Sequence, residues 1–444
     1  MTRLNKLASI VNDSGFQKYF KNTFWLFLEK FLRLISGLVV GALVARYLGP
    51  ERFGLLNYAM SFVALFITFS ALGLDSIVVK ELLLDKKKEE EIMGTSFTLK
   101  MAGALCVLVF VFIAAMLSHN DADLNTMILV IAASAVFQSF NIIDFFFQSK
   151  VQSRFVVYAN IAALTITALL KLYFIYIKAS LFYFALAFTL DAVIVAIGMI
   201  YFYTATGHRM FHWKYNFDTA KNLLKQSWPL IMASMVIMVY MKIDQIMIKN
   251  MLGDEANGNY AAAVRISETW YFIPMVICSS LFPAIINAKN RNDGSYQLRL
   301  QKLFDLMVGI ALVVAIGITF LGKPIILLLF GEAYTDSIDV LTIHIWAGIF
   351  VSLGVASSMW LVNENLQKLS FYRTAAGAVV NIILNFLLIP KYGITGAAFT
   401  TLISQFVASM FFDVFYKKTR GVFIMKMKSL LLVSPIQNLL KIAR

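Results

Sequence analysis

Three cations sit where hydrocarbon is expected. Arg33, Lys242 and Arg265 each fall inside an apolar run of membrane-spanning length, where a lone charge costs roughly 2.5 to 3.5 kcal/mol even on insertion-derived scales. Such side chains persist where they face water, a partner or a charged ligand, and three of one sign suit an anion. An acid stands near each: Glu29 lies four residues before Arg33, Asp244 two after Lys242 and Glu268 three after Arg265. Two chemistries are open. The pairs can be structural, each acid neutralising its own cation along a helix. Alternatively Arg33, Lys242 and Arg265, with Glu29 beside them, bind an anionic substrate, while Asp144, Asp244 and Glu268 are candidates for holding a coupling proton or sodium ion.

Gln138, Asn141, Asp144 and Gln148 follow one another at helical spacing beside Phe145-Phe146-Phe147, a polar stripe that lines water or bonds helices to one another. Asn381 and Asn385 repeat the pattern, and Asp191 is placed to answer Lys171. Met232, Met235, Met238 and Met241 form an i+3 series that reads as ordinary packing or as a soft groove. His119, His208, His212 and His344 have no second ligand at metal spacing, and Cys106 and Cys278 lie within apolar runs, so neither a metal cluster nor a disulfide framework is expected. Asp121-Ala-Asp123 imitates the acidic pair of a metal-dependent glycosyltransferase but falls in a short loop. GxSxG, Walker A and Gly-rich phosphate motifs are absent from the sequence, which argues against an ATP-driven pump; no cofactor is expected.

The elements that must position these groups are membrane helices. Of 444 residues 60% are hydrophobic and only 14% charged, with mean hydropathy +0.75, so the apolar surface exceeds what a soluble core could hide. Twelve spans are predicted, near 20–46, 54–79, 96–118, 124–148, 155–178, 181–204, 226–251, 258–287, 303–322, 338–362, 370–389 and 394–416. The polar, basic first 15 residues carry no sign of a cleavable signal peptide. With a cytoplasmic N-terminus, 28 Lys and Arg fall in inside segments against 6 outside, which fixes the expected orientation and puts both termini in the cytoplasm. The net charge of +14 is thereby explained without nucleic acid, since the basic residues are parcelled among loops.

An internal repeat sets the domain plan. Glu29, Arg33, Gly37, Gly41 and Ala45 share one face of the first helix, and Leu48-Gly49-x-Glu51-x-x-Gly54 reappears as Leu252-Gly253-x-Glu255-x-x-Gly258. The expected organisation is an N-lobe of six helices over 1–204, a cytoplasmic linker over 205–225 that acts as a hinge, a C-lobe of six helices over 226–416 and an amphipathic tail over 417–444 lying on the cytoplasmic leaflet. The run DKKKEEE at 85–91 reads as a solvated, self-paired loop. No loop is long enough for a catalytic domain, which argues against a membrane polymerase or glycosyltransferase.

Taken together, Asn22-Thr23-x-Trp25, Ala45-Arg46-Tyr47-Leu48-Gly49-Pro50-Glu51-x-Phe53-Gly54, Leu72-Gly73-Leu74-Asp75, Lys242-Ile243-Asp244-Gln245, Trp270-Tyr271-Phe272-Ile273-Pro274, Leu281-Phe282-Pro283-Ala284 and Tyr392-Gly393-x-x-Gly396-Ala397-Ala398 give a chain that resembles the O-antigen and polysaccharide-unit flippases. These are the Wzx-type branch of the superfamily that includes the multidrug and toxin extrusion (MATE) transporters. The resemblance implies an all-α polytopic membrane protein with twelve helices in two pseudo-symmetric lobes about a central cavity, in the bacterial plasma (inner) membrane. It implies a substrate of a short oligosaccharide on undecaprenyl diphosphate, and other polysaccharide-assembly proteins as candidate partners beside membrane lipids. The sister lipid II flippases carry an Arg-Asp pair where this chain has Val40-Gly41, which weakens that alternative; a cation-coupled exporter of small amphiphiles is the other.

Overall fold

The computed structural model describes residues 14–118, 120–291 and 294–433. Arg3, Lys6, His119 and everything from residue 434 onward, Pro435 included, lie outside the described residues. The described chain is helical: α1 (Ser14–Ala71), α2 (Asp75–Leu84), α3 (Glu89–Leu117), α4 (Ala122–Ala132), α5 (Ser134–Gln138), α6 (Ile142–Ser149), α7 (Arg154–Tyr176), α8 (Leu181–Ala205), α9 (Phe217–Leu252), α10 (Asp254–Thr269), α11 (Phe272–Arg291), α12 (Tyr296–Leu329), α13 (Ser337–His344), α14 (Ala347–Asn363), α15 (Gln367–Ser409) and α16 (Arg420–Leu430). Among the described residues ten helical runs are long and apolar enough to cross a membrane. Two of them contain a break, at Gly49 and at Gly393. Leu117, Val313 and Phe320 stand exposed on them, as side chains facing hydrocarbon do.

The repeated turn has a physical cause. Pro50 offers no N–H and crowds the residue before it, so Gly49 leaves the helix with φ 73°. Gly253, its counterpart, takes φ 95° between α9 and α10; only glycine holds such angles without strain.

The described residues gather into two compact units, one within Met1–Tyr47 and Ala59–Met235, the other within Leu48–Tyr58 and Val236–Arg444. The first has a core around Leu74, Phe145, Phe146, Phe147 and Tyr203. Within it the segment expected to act as a hinge is fastened to the start of α3: Lys214 N–H donates to the Glu90 carbonyl, and Asn216 N–H to Thr95 Oγ1 at 3.0 Å. Two acids of DKKKEEE reach outward, Glu89 to Lys150 Nζ at 2.6 Å and Glu91 to the Thr219 hydroxyl, while Asp85 Oδ1 accepts from the Lys87 N–H within the run.

The second unit has a core of Trp270, Phe282, Phe304, Met307 and Trp360. Within it the two copies of the turn lie backbone to backbone. A Cβ on Gly54 would strike the Asp254 carbonyl, one on Gly258 would strike the Pro50 carbonyl, and Asn257 Nδ2 donates to the Gly54 carbonyl at 2.8 Å. The described part of the tail is helix α16, which packs on α12 with Lys426 wholly buried. Lys426 Nζ meets Asp413 Oδ2 at 2.7 Å; burial pushes its ammonium down to about 8 against the pull of Asp413. Gln301 Nε2 donates to the Met425 carbonyl at 3.0 Å.

Candidate functional site

In the first unit, the charged face of α1 and the polar stripe of α5 and α6 meet at one cavity. It measures about 210 Å³, and its lining includes Arg33, Gln138, Asn141, Asp144, Asn160 and Asp191. The helical period does this: Gln138, Asn141 and Asp144 recur on one side of the run from α5 through a single 3-10 turn into α6, as Glu29 and Arg33 do on α1. Arg33 Nε donates to Glu29 Oε1 at 2.9 Å, confirming the i+4 pair, and Glu29 is almost wholly buried. Arg33 Nη1 lies 3.9 Å from Asp191 Oδ2, and Thr167 donates to Asp191 Oδ1 at 3.3 Å, so the structure brings Asp191 to Arg33. Asp144 Oδ1 is buried with no partner among the described residues. Two lining acids therefore outnumber the single lining cation. The site presents oxygen and amide groups that exchange hydrogen bonds with hydroxyls, with one guanidinium among them.

In the second unit, Asp244 is the centre. It is 5% exposed; Oδ2 accepts from Tyr260 and from Thr401, both at 2.8 Å, and Oδ1 from Asn385 Nδ2 at 2.5 Å. Asn385 also donates to Asn381 Oδ1 at 3.1 Å. Asp244, Gln245, Tyr260, Glu268, His344 and Thr401 border a void of about 10 Å³, roughly one water-sized occupant. His344 Nδ1 is 2.8 Å from Ser267 Oγ.

The structural pairings allowed by the sequence are not formed in this unit. Asp244 bonds to α10 and α15, not to Lys242, and Arg265 forms no ion pair with Glu268 among the described residues. Arg265 lies with its guanidinium 6.0 Å from the centre of the Phe53 ring, at cation–π distance. Lys242 is half-buried, and neither cation borders the small void. Sequence spacing thus located the Glu29–Arg33 pair and the Gln138–Asn141–Asp144 stripe, while packing brings Asp144 to the cavity of Arg33 and Glu268 to that of Asp244. Spacing missed Tyr260 and Thr401, which approach Asp244 from 16 and 157 residues away. It also missed two buried cations, Lys100 and Arg373, both counted among the basic residues of inside segments although both fall within predicted spans.

Long apolar helices, broken at glycine and holding buried polar cavities, define a multi-pass helical membrane protein. Solved structures place its fold. The lipid II flippase MurJ in an inward closed conformation superposes with a TM-score of 0.72 at 15% identity, covering 94% of this chain and 92% of that one. An inward-facing multidrug resistance MATE family transporter gives 0.70 at 14% identity, covering 91% and 96%. The chain belongs to the polysaccharide biosynthesis protein family, whose sequence profile matches residues 19–289; the MatE profile matches 229–387. Its relatives include the capsular polysaccharide biosynthesis protein CapF of Staphylococcus aureus, 23% identical over 90% of this chain and 99% of that protein. A Shigella flexneri protein provisionally named an O-antigen transporter is 22% identical over 91% and 99%.

Proposed function

We propose that this protein is a flippase that carries undecaprenyl-diphosphate-linked oligosaccharide repeat units from the inner to the outer leaflet of the bacterial plasma membrane by alternating access. It does so with twelve crossings and both termini in the cytoplasm. The observation that carries the reading is the first-unit cavity: within membrane-length helices, Arg33 stands among Gln138, Asn141, Asn160 and Asp191. Moving one unpaired hydroxyl into hydrocarbon costs roughly 4 to 8 kcal/mol. Groups that exchange hydrogen bonds with hydroxyls are therefore what a sugar head group needs on its way across. Arg33 in one unit, and Arg265 and Lys242 in the other, supply cations for phosphate oxygens, and Glu29 holds Arg33 in place. Family membership and the named relatives support the same substrate class.

Transport is coupled to a proton or a sodium ion, with Asp244 as the leading site and Asp144 and Glu268 as the others. Among the described residues the buried Asp244 carboxylate has no cation bonded to it, and it borders a void of about 10 Å³, room for a small positive ion. One observation favours a second reading, a cation-coupled exporter of small amphiphiles: acids outnumber bases in the first-unit cavity. Deleting the gene separates the two. The flippase reading requires lipid-linked repeat units to accumulate facing the cytoplasm, and unchanged surface polysaccharide in a strain without a redundant flippase would refute it.

A further inference from the structure

The second unit holds a larger cavity that the proposed transport site does not use. It measures about 620 Å³, within the range of small-molecule sites. Its walls are mostly apolar, with Met241, Met275, Val355 and Met359 among them. One charged side chain lines it, Arg373, which is 3% exposed. Its guanidinium donates to Ser357 Oγ at 2.7 Å, to Ser358 Oγ at 2.6 Å and to the Gly354 carbonyl at 3.0 Å. These bonds occupy three of the five donors a guanidinium offers.

Every one of those partners is neutral. Among the described residues no carboxylate forms an ion pair with Arg373, and Asp413, the acid whose field reaches it, is held by Lys426 at 2.7 Å. A buried charge without a counter-charge is costly to keep. Here it is positioned by two hydroxyls and a carbonyl with donors to spare, at a cavity whose remaining walls are mostly apolar. The complementary ligand has an anionic oxygen cluster at one end and a flexible hydrocarbon body. Methionine side chains adapt to an irregular, branched chain.

We propose that this cavity is a docking site for the polyprenyl phosphate part of the carrier lipid, with Arg373 on the phosphate and the isoprenoid chain against the methionines. The proposal rests on the flippase reading for its choice of lipid. Arg373 comes six residues after the start of α15 at Gln367, about 9 Å along the helix. With the proposed orientation, that places the guanidinium near the phosphate level of the cytoplasmic leaflet, where a loaded carrier arrives.

The test measures retention of radiolabelled undecaprenyl phosphate by the purified protein in detergent, with undecaprenol, phosphatidylglycerol and inorganic phosphate as competitors. Undecaprenyl phosphate is expected to bind, with undecaprenol and phosphatidylglycerol each at least tenfold weaker and inorganic phosphate ineffective. Arg373→Gln is expected to weaken binding at least tenfold. Met275→Trp, which fills the cavity from its exposed rim and leaves the arginine bonded as it is, should do the same in a monodisperse protein. Failure of the flippase reading shows as unchanged surface polysaccharide in the deletion strain, whereas failure here shows as binding that Arg373→Gln and Met275→Trp leave intact, so the two are distinguishable. Equal competition by undecaprenol or by phosphatidylglycerol, or full binding by Met275→Trp, would overturn the assignment.

Discussion

Replacing Asp244 tests how the second unit is held together and what its acid is for. In Asp244→Leu the volume is roughly kept and three hydrogen bonds go, those from Tyr260, Thr401 and Asn385. A hydrogen bond to a charged group contributes about 1.5–3 kcal/mol, and a stranded buried donor costs about 1–3 kcal/mol. Simple addition would predict a loss beyond what most domains survive. Each donor has a fallback, however: Thr401 to the Ala397 carbonyl at 3.1 Å, Tyr260 to Thr401 Oγ1 at 3.3 Å, and Asn385 to Asn381 Oδ1 at 3.1 Å. With the donors re-satisfied and the cost of burying the carboxylate relieved, the expected net loss falls to about 2–4 kcal/mol. Unfolding in mixed micelles titrated with dodecyl sulfate reads this directly. A loss below about 0.5 kcal/mol would be within the range of surface substitutions and would refute the view that Asp244 organises its neighbours. The same assay reads its ionic role. Sodium chloride should stabilise the wild type more than choline chloride does if sodium is bound, since a ligand specific to the native state shifts stability by mass action. Asp244→Asn should abolish that difference. If protons are the coupling ion, the salts are equivalent and Asp244→Asn instead removes the pH dependence of transport.

Four further outcomes are expected. Arg33→Ala and Arg265→Ala should each stop export of lipid-linked sugars while leaving membrane insertion intact on a fractionated immunoblot; full export by both would make them structural. Gly258→Ala should cost about 2–3 kcal/mol by forcing a methyl against the Pro50 carbonyl, whereas Gly309→Ala, whose Cβ meets nothing within 4 Å, should be neutral or stabilise by up to about 1 kcal/mol. Lys426→Met strands the buried Asp413 carboxylate and should cost about 3–5 kcal/mol, with most of the loss recovered in the double variant with Asp413→Leu; equal losses in the two would show that packing, not charge, holds α16. For Glu364, burial alone would raise the carboxyl, but Lys289 at 2.6 Å and Tyr296 at 2.7 Å hold it below its ordinary value of 4.5. A depressed carboxylate stabilises the fold above that value and loses the contribution as pH falls through the native-state value. The wild type should therefore show an acid-side loss of unfolding midpoint that Glu364→Gln lacks.

Features that obey the helical period were legible in the sequence. Glu29 with Arg33, the run Gln138–Asn141–Asp144 and the paired glycines at 49 and 253 all follow from spacing within one helix or from literal repetition. What the sequence hid was contact between distant helices. Thr401 is an ordinary helical threonine until α15 brings it to Asp244, and nothing local to Phe53 announces Arg265 beside it. Arg373 shows a different limit: with Lys368 nearby it counts toward orientation like any flanking base, and only packing reveals that it is buried. The acids at 89–91 looked self-sufficient beside their lysines, yet Lys150 and Thr219 compete better because the fold brings them within bonding distance.

The loan of residues 48–58 to the second unit bears on how the gene can be cut. Co-expressing halves divided in the 205–225 connection would strand that segment on the wrong polypeptide, leaving the later half with an uncovered glycine track at Gly258 and an unanswered Asn257 amide. Recovery of activity from two such pieces requires them to find each other during insertion, and a C-terminal piece expressed alone should be degraded unless residues 48–58 are supplied in trans.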